Sequence, residues 1–77
     1  MDIAEEIDAL GLLCPLPVLK LRKRLMSHEA GAIVALLADD PAAVIDVPHF
    51  CNEQGHILAK TDENPEGQIY YVQKGQT

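Results

Sequence analysis

The chain predicts an α+β fold: a two-layer α/β sandwich in the order βαβαββ, with a four-stranded mixed sheet and two helices on one face. Three observations carry this. The run Ala32-Ile-Val-Ala-Leu-Leu-Ala38 is continuously apolar and of strand length, as a central strand covered on at least one face requires. Two stretches of helical character lie on either side of it, and the last third of the chain alternates as strands do. With 77 residues, 48% of them hydrophobic, the chain suffices for one packed domain, expected over residues 4–75.

The elements follow in order. Residues 5–10 read as a short strand stopped by Gly11. Residues 15–28 read as a helix whose apolar stripe is Val18, Leu21 and Leu25, widened by Leu19 and Met26, with Lys20, Lys23 and Arg24 facing out. Pro15 and Pro17 are tolerable in a first turn, where the backbone N–H groups have no intrahelical partner, and Gly31 ends the helix region. After the strand at 32–38, Asp40 is expected as N-cap and Pro41 as first helical residue. The helix over 42–54 is expected to be interrupted at Val47-Pro48, because a proline removes an interior hydrogen bond, and to close at Gly55. Residues 56–61 read as a strand, 62–67 as a polar turn, 68–74 as a last strand with Tyr70 and Val72 on one face, and 76–77 as a tail.

Composition excludes several functions. A net charge of −6 argues against free nucleic acid or an anionic membrane as the main partner, and one Phe, two Tyr and no Trp leave little to stack on bases. No signal peptide opens the sequence, and no apolar run is long enough to span a bilayer, so a cytoplasmic location is expected. Four of the six basic residues, Lys20, Arg22, Lys23 and Arg24, fall within five positions. Such a cluster either steers docking onto an acidic protein surface or is an ordinary solvated helix face.

The most informative residue is Cys14, in Cys14-Pro15-Leu16-Pro17. A thiol at a helix N-terminus faces unpaired N–H groups and the positive end of the dipole, so a lowered pKa is expected. The two prolines are expected to leave free amide donors near Leu16 and Val18 pointing at the sulfur. Position 17 is Pro where a dithiol motif would have Cys, so no internal disulfide cycle is available. A single thiolate of this kind suits a carrier of persulfide sulfur. The competing reading is an inert buried cysteine.

The residues from Asp8-Ala-Leu-Gly-Leu-Leu-Cys-Pro-Leu-Pro-Val18 through Asp39-Asp-Pro-Ala42, Asp46-Val-Pro-His-Phe-Cys51, His56 and the closing Tyr-Tyr-Val-Gln-Lys-Gly resemble the TusA (SirA-like) family of small sulfurtransferases. The resemblance implies a βαβαββ sandwich and a persulfide relay. A cysteine desulfurase, carrying its own pyridoxal phosphate, would load Cys14, and a downstream acceptor protein would unload it; no cofactor is expected on this chain. Synthesis of 2-thiouridine at the tRNA wobble position is the implied end point. Alternatives are sulfur delivery to molybdenum-cofactor synthesis or sulfur oxidation, or a non-catalytic interaction module docking through the basic helix. A carrier that must stay accessible is expected to act as a monomer.

Other candidates are weaker. Cys51 reads as a possible auxiliary thiol or, more simply, as a small buried hydrophobe beside Phe50. His49, Cys51 and His56 match no metal-ligand spacing, so no metal is expected. Asp39 and Asp40 read as turn and cap residues, not as an acid–base pair.

Overall fold

The computed structural model describes residues 1–76. Its elements are β1 (Glu5–Asp8), α1 (Leu16–Leu25), β2 (Ile33–Ala38), α2 (Ala43–Gln54), β3 (Ile57–Asn64) and β4 (Gly67–Gln73). The apolar run forms the inner strand β2, which pairs in parallel with β1 and antiparallel with β4, in the sheet order β1-β2-β4-β3. This is the predicted mixed sheet.

Alternation along the strands decides which face is covered. Ile7, Val34, Leu36, Tyr70 and Val72 are buried, and with Leu21 and Leu25 of α1 and Val47 and Phe50 of α2 they form one core. The register pairs Ile7 with Leu36, and Leu36 with Tyr70, so one stripe crosses three strands. Both helices therefore pack on that face, and burial of each large side chain contributes about 1.5–3 kcal/mol. The opposite face carries Leu37, Ile69 and Tyr71, half-buried, with the Lys60 ammonium 5.8 Å from the Tyr71 ring centroid.

Several element boundaries differ from expectation, each for a local reason. α1 stops at Leu25, and Leu19 and Met26, expected to widen its apolar stripe, are 48% and 76% exposed. A ten-residue helix on a narrow sheet covers it with fewer positions than the sequence offers. α2 runs unbroken through Pro48. The proline orphans only the Val44 carbonyl, one turn from the helix start on an exposed residue, where water can satisfy it. α2 closes at Gly55, as expected, with the Gly55 N–H returning to the Cys51 carbonyl. β3 extends to Asn64, so the polar segment 62–67 contributes strand as well as turn. The Asn64 side chain accepts from the Glu66 and Gly67 N–H groups, which lets so polar a segment reverse tightly. Of the expected tail at 76–77, Thr77 lies outside the described residues.

The parallel pairing of β1 and β2 brings the loops that follow them to one sheet edge, since Asp8 lies opposite Leu37. The two loops are tied there by carboxylates. The Gly11 N–H, at a φ of +80 that favours glycine, donates to both oxygens of Asp39, at 3.0 and 3.1 Å. Asp40 is buried, at 8% exposure; one oxygen accepts from the Cys14 N–H and the other from the Ala42 N–H at 3.1 Å. Asp40 was expected as the α2 N-cap, but that position falls to Ala42, which offers no side-chain cap. Asp40 instead caps the turn before the helix, because half of its hydrogen-bonding capacity goes to the cysteine loop.

Two outcomes are expected. A Cβ built on Gly67 would lie 2.3 Å from the Ala38 carbonyl oxygen. Gly67→Ala should lower the unfolding free energy by about 2 kcal/mol in urea titration, and an unchanged midpoint would mean the turn relaxes freely. Asp40→Ala leaves two amide donors unpaired and should cost about 2–4 kcal/mol while speeding hydrogen exchange of the Cys14 amide.

Candidate functional site

Cys14 ends the loop that follows β1, two residues before the first helical residue, and it is exposed. The Cys14–Pro15 peptide bond is cis, Pro15 takes the N-cap position, and Pro17 is buried in the first turn. Of the two amide donors expected to point at the sulfur, near Leu16 and Val18, that of Leu16 is used elsewhere. The Leu16 N–H donates to the Leu13 carbonyl at 2.9 Å, and the Cys14 N–H goes to Asp40.

The sulfur has a different partner, Asp46 of α2. The Cys14 thiol donates to Asp46 Oδ2 across 2.9 Å. That hydrogen bond, followed by desolvation and by the charges of Asp46 and Asp40, holds the thiol above its ordinary pKa. The expectation of a lowered pKa is overturned. A whole negative charge in contact with the sulfur outweighs the fractional dipole of a ten-residue helix whose Leu16 donor is already engaged.

Cys14 opens onto a cleft of about 250 Å³ between α1 and α2. Pro15, Val18 and Phe50 form its apolar wall, and Asp46, His49 and Glu53 line it along α2. His49 and Glu53 pair at 3.2 Å on the exposed side of that helix. Leu13 and Leu16, on either side of the cysteine, are 69% and 49% exposed, and Ile45 beside Asp46 is 74% exposed. The sulfur is thus flanked by apolar side chains that face solvent.

The basic cluster is divided by the fold. Lys20 faces out as expected but donates to the Asp8 carbonyl, and Arg24, half-buried, pairs with Glu5 at 2.8 Å, joined by His28 at 2.7 Å. Arg24 and then His28 hold the Glu5 carboxyl below the usual range. The side chains of Arg22 and Lys23 make no hydrogen bond or ion pair among the described residues. Arg22 lines a second cleft of about 230 Å³ with Met26, Phe50, His56 and Lys74. Phe50 is a shared wall, so the two clefts adjoin along the α1–α2 seam.

Cys51 is buried at 2% exposure, and burial pushes its thiol up to about 11. His49, Cys51 and His56 are engaged separately. His49 pairs with Glu53, Cys51 packs in the core, and His56 Nδ1 accepts from the Gly75 N–H at 3.0 Å while its ring tilts against Phe50. No group of three His, Cys, Asp or Glu side chains among the described residues is placed to hold a metal ion. None of the described helices is long and apolar enough to cross a membrane.

Asp46 is the site residue that reading the sequence did not single out. It is 32 positions from Cys14, with no motif spacing to link them. The available signal was topological: two parallel strands joined by a helix place their following loops side by side, and α2 begins in the second of them.

Comparison with known proteins agrees with this architecture. The chain is similar to a SirA-like protein from Desulfitobacterium hafniense, at 28% identity over 95% of this chain and 99% of that one, with a TM-score of 0.71. Residues 5–74 match the family model described as sulfurtransferase TusA, which covers both loops, both helices and the whole sheet. The chain belongs to the TusA sulfurtransferase family.

Proposed function

We propose that this protein is a sulfur carrier that holds transferable sulfur as a persulfide on Cys14. The exposed sulfur at the mouth of the α1–α2 cleft is the observation that carries the reading. A carrier needs one thiol reachable by two successive protein partners and no second thiol that would discharge it as an internal disulfide. Cys14 is exposed, Cys51 is buried, and Leu13, Leu16 and Ile45 supply exposed apolar surface near the sulfur. A solvent-facing apolar rim suits transient contact with another protein surface.

In loading, a cysteine desulfurase with its own pyridoxal phosphate presents a persulfide. Cys14 takes the outer sulfur and later yields it to an acceptor thiol. Arg22 and Lys23, the unengaged members of the basic cluster, guide docking onto an acidic partner surface, whereas Lys20 and Arg24 help hold α1 to β1. Pro15 and Pro17 shape the approach to α1. Delivery toward tRNA 2-thiouridine is the end point we favour. It rests on the likeness of Asp46-Val-Pro and Phe50-Cys51 to the family branch that serves it, a segment that several branches share, with delivery to molybdenum-cofactor synthesis or sulfur oxidation as the alternatives.

The outcomes expected of Gly67→Ala and Asp40→Ala are joined by two more on the thiols themselves: incubation with an active cysteine desulfurase and free cysteine should add about 32 Da, localised to Cys14 and removed by a thiol reductant, and Cys14→Ser should lose that gain. Full transfer by that variant, with the fold intact, would sink the carrier reading. In the native protein, iodoacetamide should modify Cys14, more slowly than a free thiol, and spare Cys51 until unfolding. Cys51→Ser should keep transfer and lose about 1–2 kcal/mol of stability for a hydroxyl placed in the core.

A further inference from the structure

Asp46 contributes more than a hydrogen bond if Cys14 is to attack another sulfur, and the point rests on the carrier reading above. The nucleophile is a thiolate, yet the resting geometry gives the sulfur a carboxylate neighbour at 2.9 Å, and among the described residues no Lys or Arg lines its cleft. Every charged group facing Cys14 bears on this. Asp46, His49 and Glu53 come from α2, and Asp40 comes from the turn before it. The first turn of α1 has no acidic residue; its basic residues are Lys20, which is turned to the Asp8 carbonyl, and Arg22, Lys23 and Arg24 in the last turn. The immediate field at the sulfur is therefore negative, while the basic side chains sit further along α1.

We propose that Asp46 sets the charge state and the donor preference of Cys14. Its carboxylate holds the free thiol protonated and aimed along the cleft, and the sulfur is released to react when a cationic group flanking the donor's sulfur meets that carboxylate. The step balances without an oxidant: Cys14–SH plus R–S–SH gives Cys14–S–SH plus R–SH. The Cys14 sulfur lone pair forms the new S–S bond to the donor's outer sulfur. The donor's own S–S bond breaks with its electron pair remaining on R–S⁻, and that thiolate takes up the proton Cys14 gave up. A donor with a Lys or Arg beside its sulfur stabilises the arrangement, because the cation offsets the repulsion between Asp46 and the forming thiolate. A donor flanked by carboxylates adds to that repulsion. Asp46 thus keeps the unloaded carrier quiet toward unselected electrophiles, and selects on charge at the sulfur while Arg22 and Lys23 select on charge at the docking face.

The test needs no desulfurase, so it can fail independently of the carrier reading. Reduced protein is reacted at low ionic strength with three symmetric disulfides differing in charge: cystamine, bis(2-hydroxyethyl) disulfide and 3,3′-dithiodipropionate. Each forms Cys14–S–SR and releases R–SH, and each rate is divided by that of N-acetylcysteine amide to remove intrinsic electrophilicity. Wild type should prefer the cation over the anion by about tenfold or more, since reversing a unit charge near a carboxylate changes the interaction by twice its Coulomb energy. Asp46→Asn, which keeps the shape, should speed reaction with the neutral disulfide at pH 7, lower the pH midpoint of its rate profile, and reduce the charge preference severalfold, leaving the part that Asp40 and Glu53 supply. Asp46→Glu should restore part of the preference. Equal rates for cation and anion in wild type, or an Asp46→Asn protein that is folded by circular dichroism yet unchanged in both midpoint and preference, would overturn the proposal. Should the charge preference hold while the desulfurase adds no sulfur, the carrier reading alone falls.

Discussion

The buried carboxylate of Asp40 is the constraint on which the site depends. One oxygen takes the Cys14 amide and the other takes the Ala42 amide, so the end of one loop and the approach to α2 are held by a single side chain. That coupling fixes how Cys14 faces α2, and hence that Asp46, in the first turn of that helix, meets the sulfur. The parallel pairing of β1 and β2 makes the coupling possible, because parallel neighbours joined by a crossover helix send their following loops to the same edge. Asp39 repeats the arrangement one residue earlier by holding Gly11.

Two fields of opposite sign follow from that geometry. Around the sulfur the charges are acidic, and along α1 the unengaged Arg22 and Lys23 are basic. The net charge of −6 conceals this division. A helix N-terminus would favour thiolate by itself, but its influence fades within a turn and the Leu16 donor is already bonded. The carboxylate is in contact, so it wins, and the thiol is held above its ordinary pKa. For a carrier of the kind proposed, a thiol quiet in isolation and open to a docked partner is a consistent resting state.

The two cysteines show how environment divides one chemistry into two roles. Cys14 stands at an open cleft with exposed leucines on either side, whereas Cys51 packs with Val47 and Phe50 in the core, where burial raises its thiol. Both are held away from the thiolate form, Cys51 mainly by desolvation and Cys14 mainly by a charged neighbour. Only the second cause can be relieved by a partner without unfolding the protein.

The sequence by itself determined the element order, the inner strand, the core stripe of Leu21, Leu25, Tyr70 and Val72, and the candidate thiol. These depend on periodicity, turn residues and local motif, which act over a few positions. It misplaced what depends on tertiary neighbours. Leu19 and Met26 carry the right periodicity, but no element covers them. Pro48 has the chemistry of a breaker, but its orphaned carbonyl is exposed and tolerated. Lys20 and Arg24 look like free surface charge until β1 lies beneath them. Most of all, the protonation of Cys14 was read from the helix beside it in sequence and is decided by an aspartate 32 residues away. Contact electrostatics grow steeply as separation shrinks, and which charges come into contact is settled only when the two loops meet at the sheet edge.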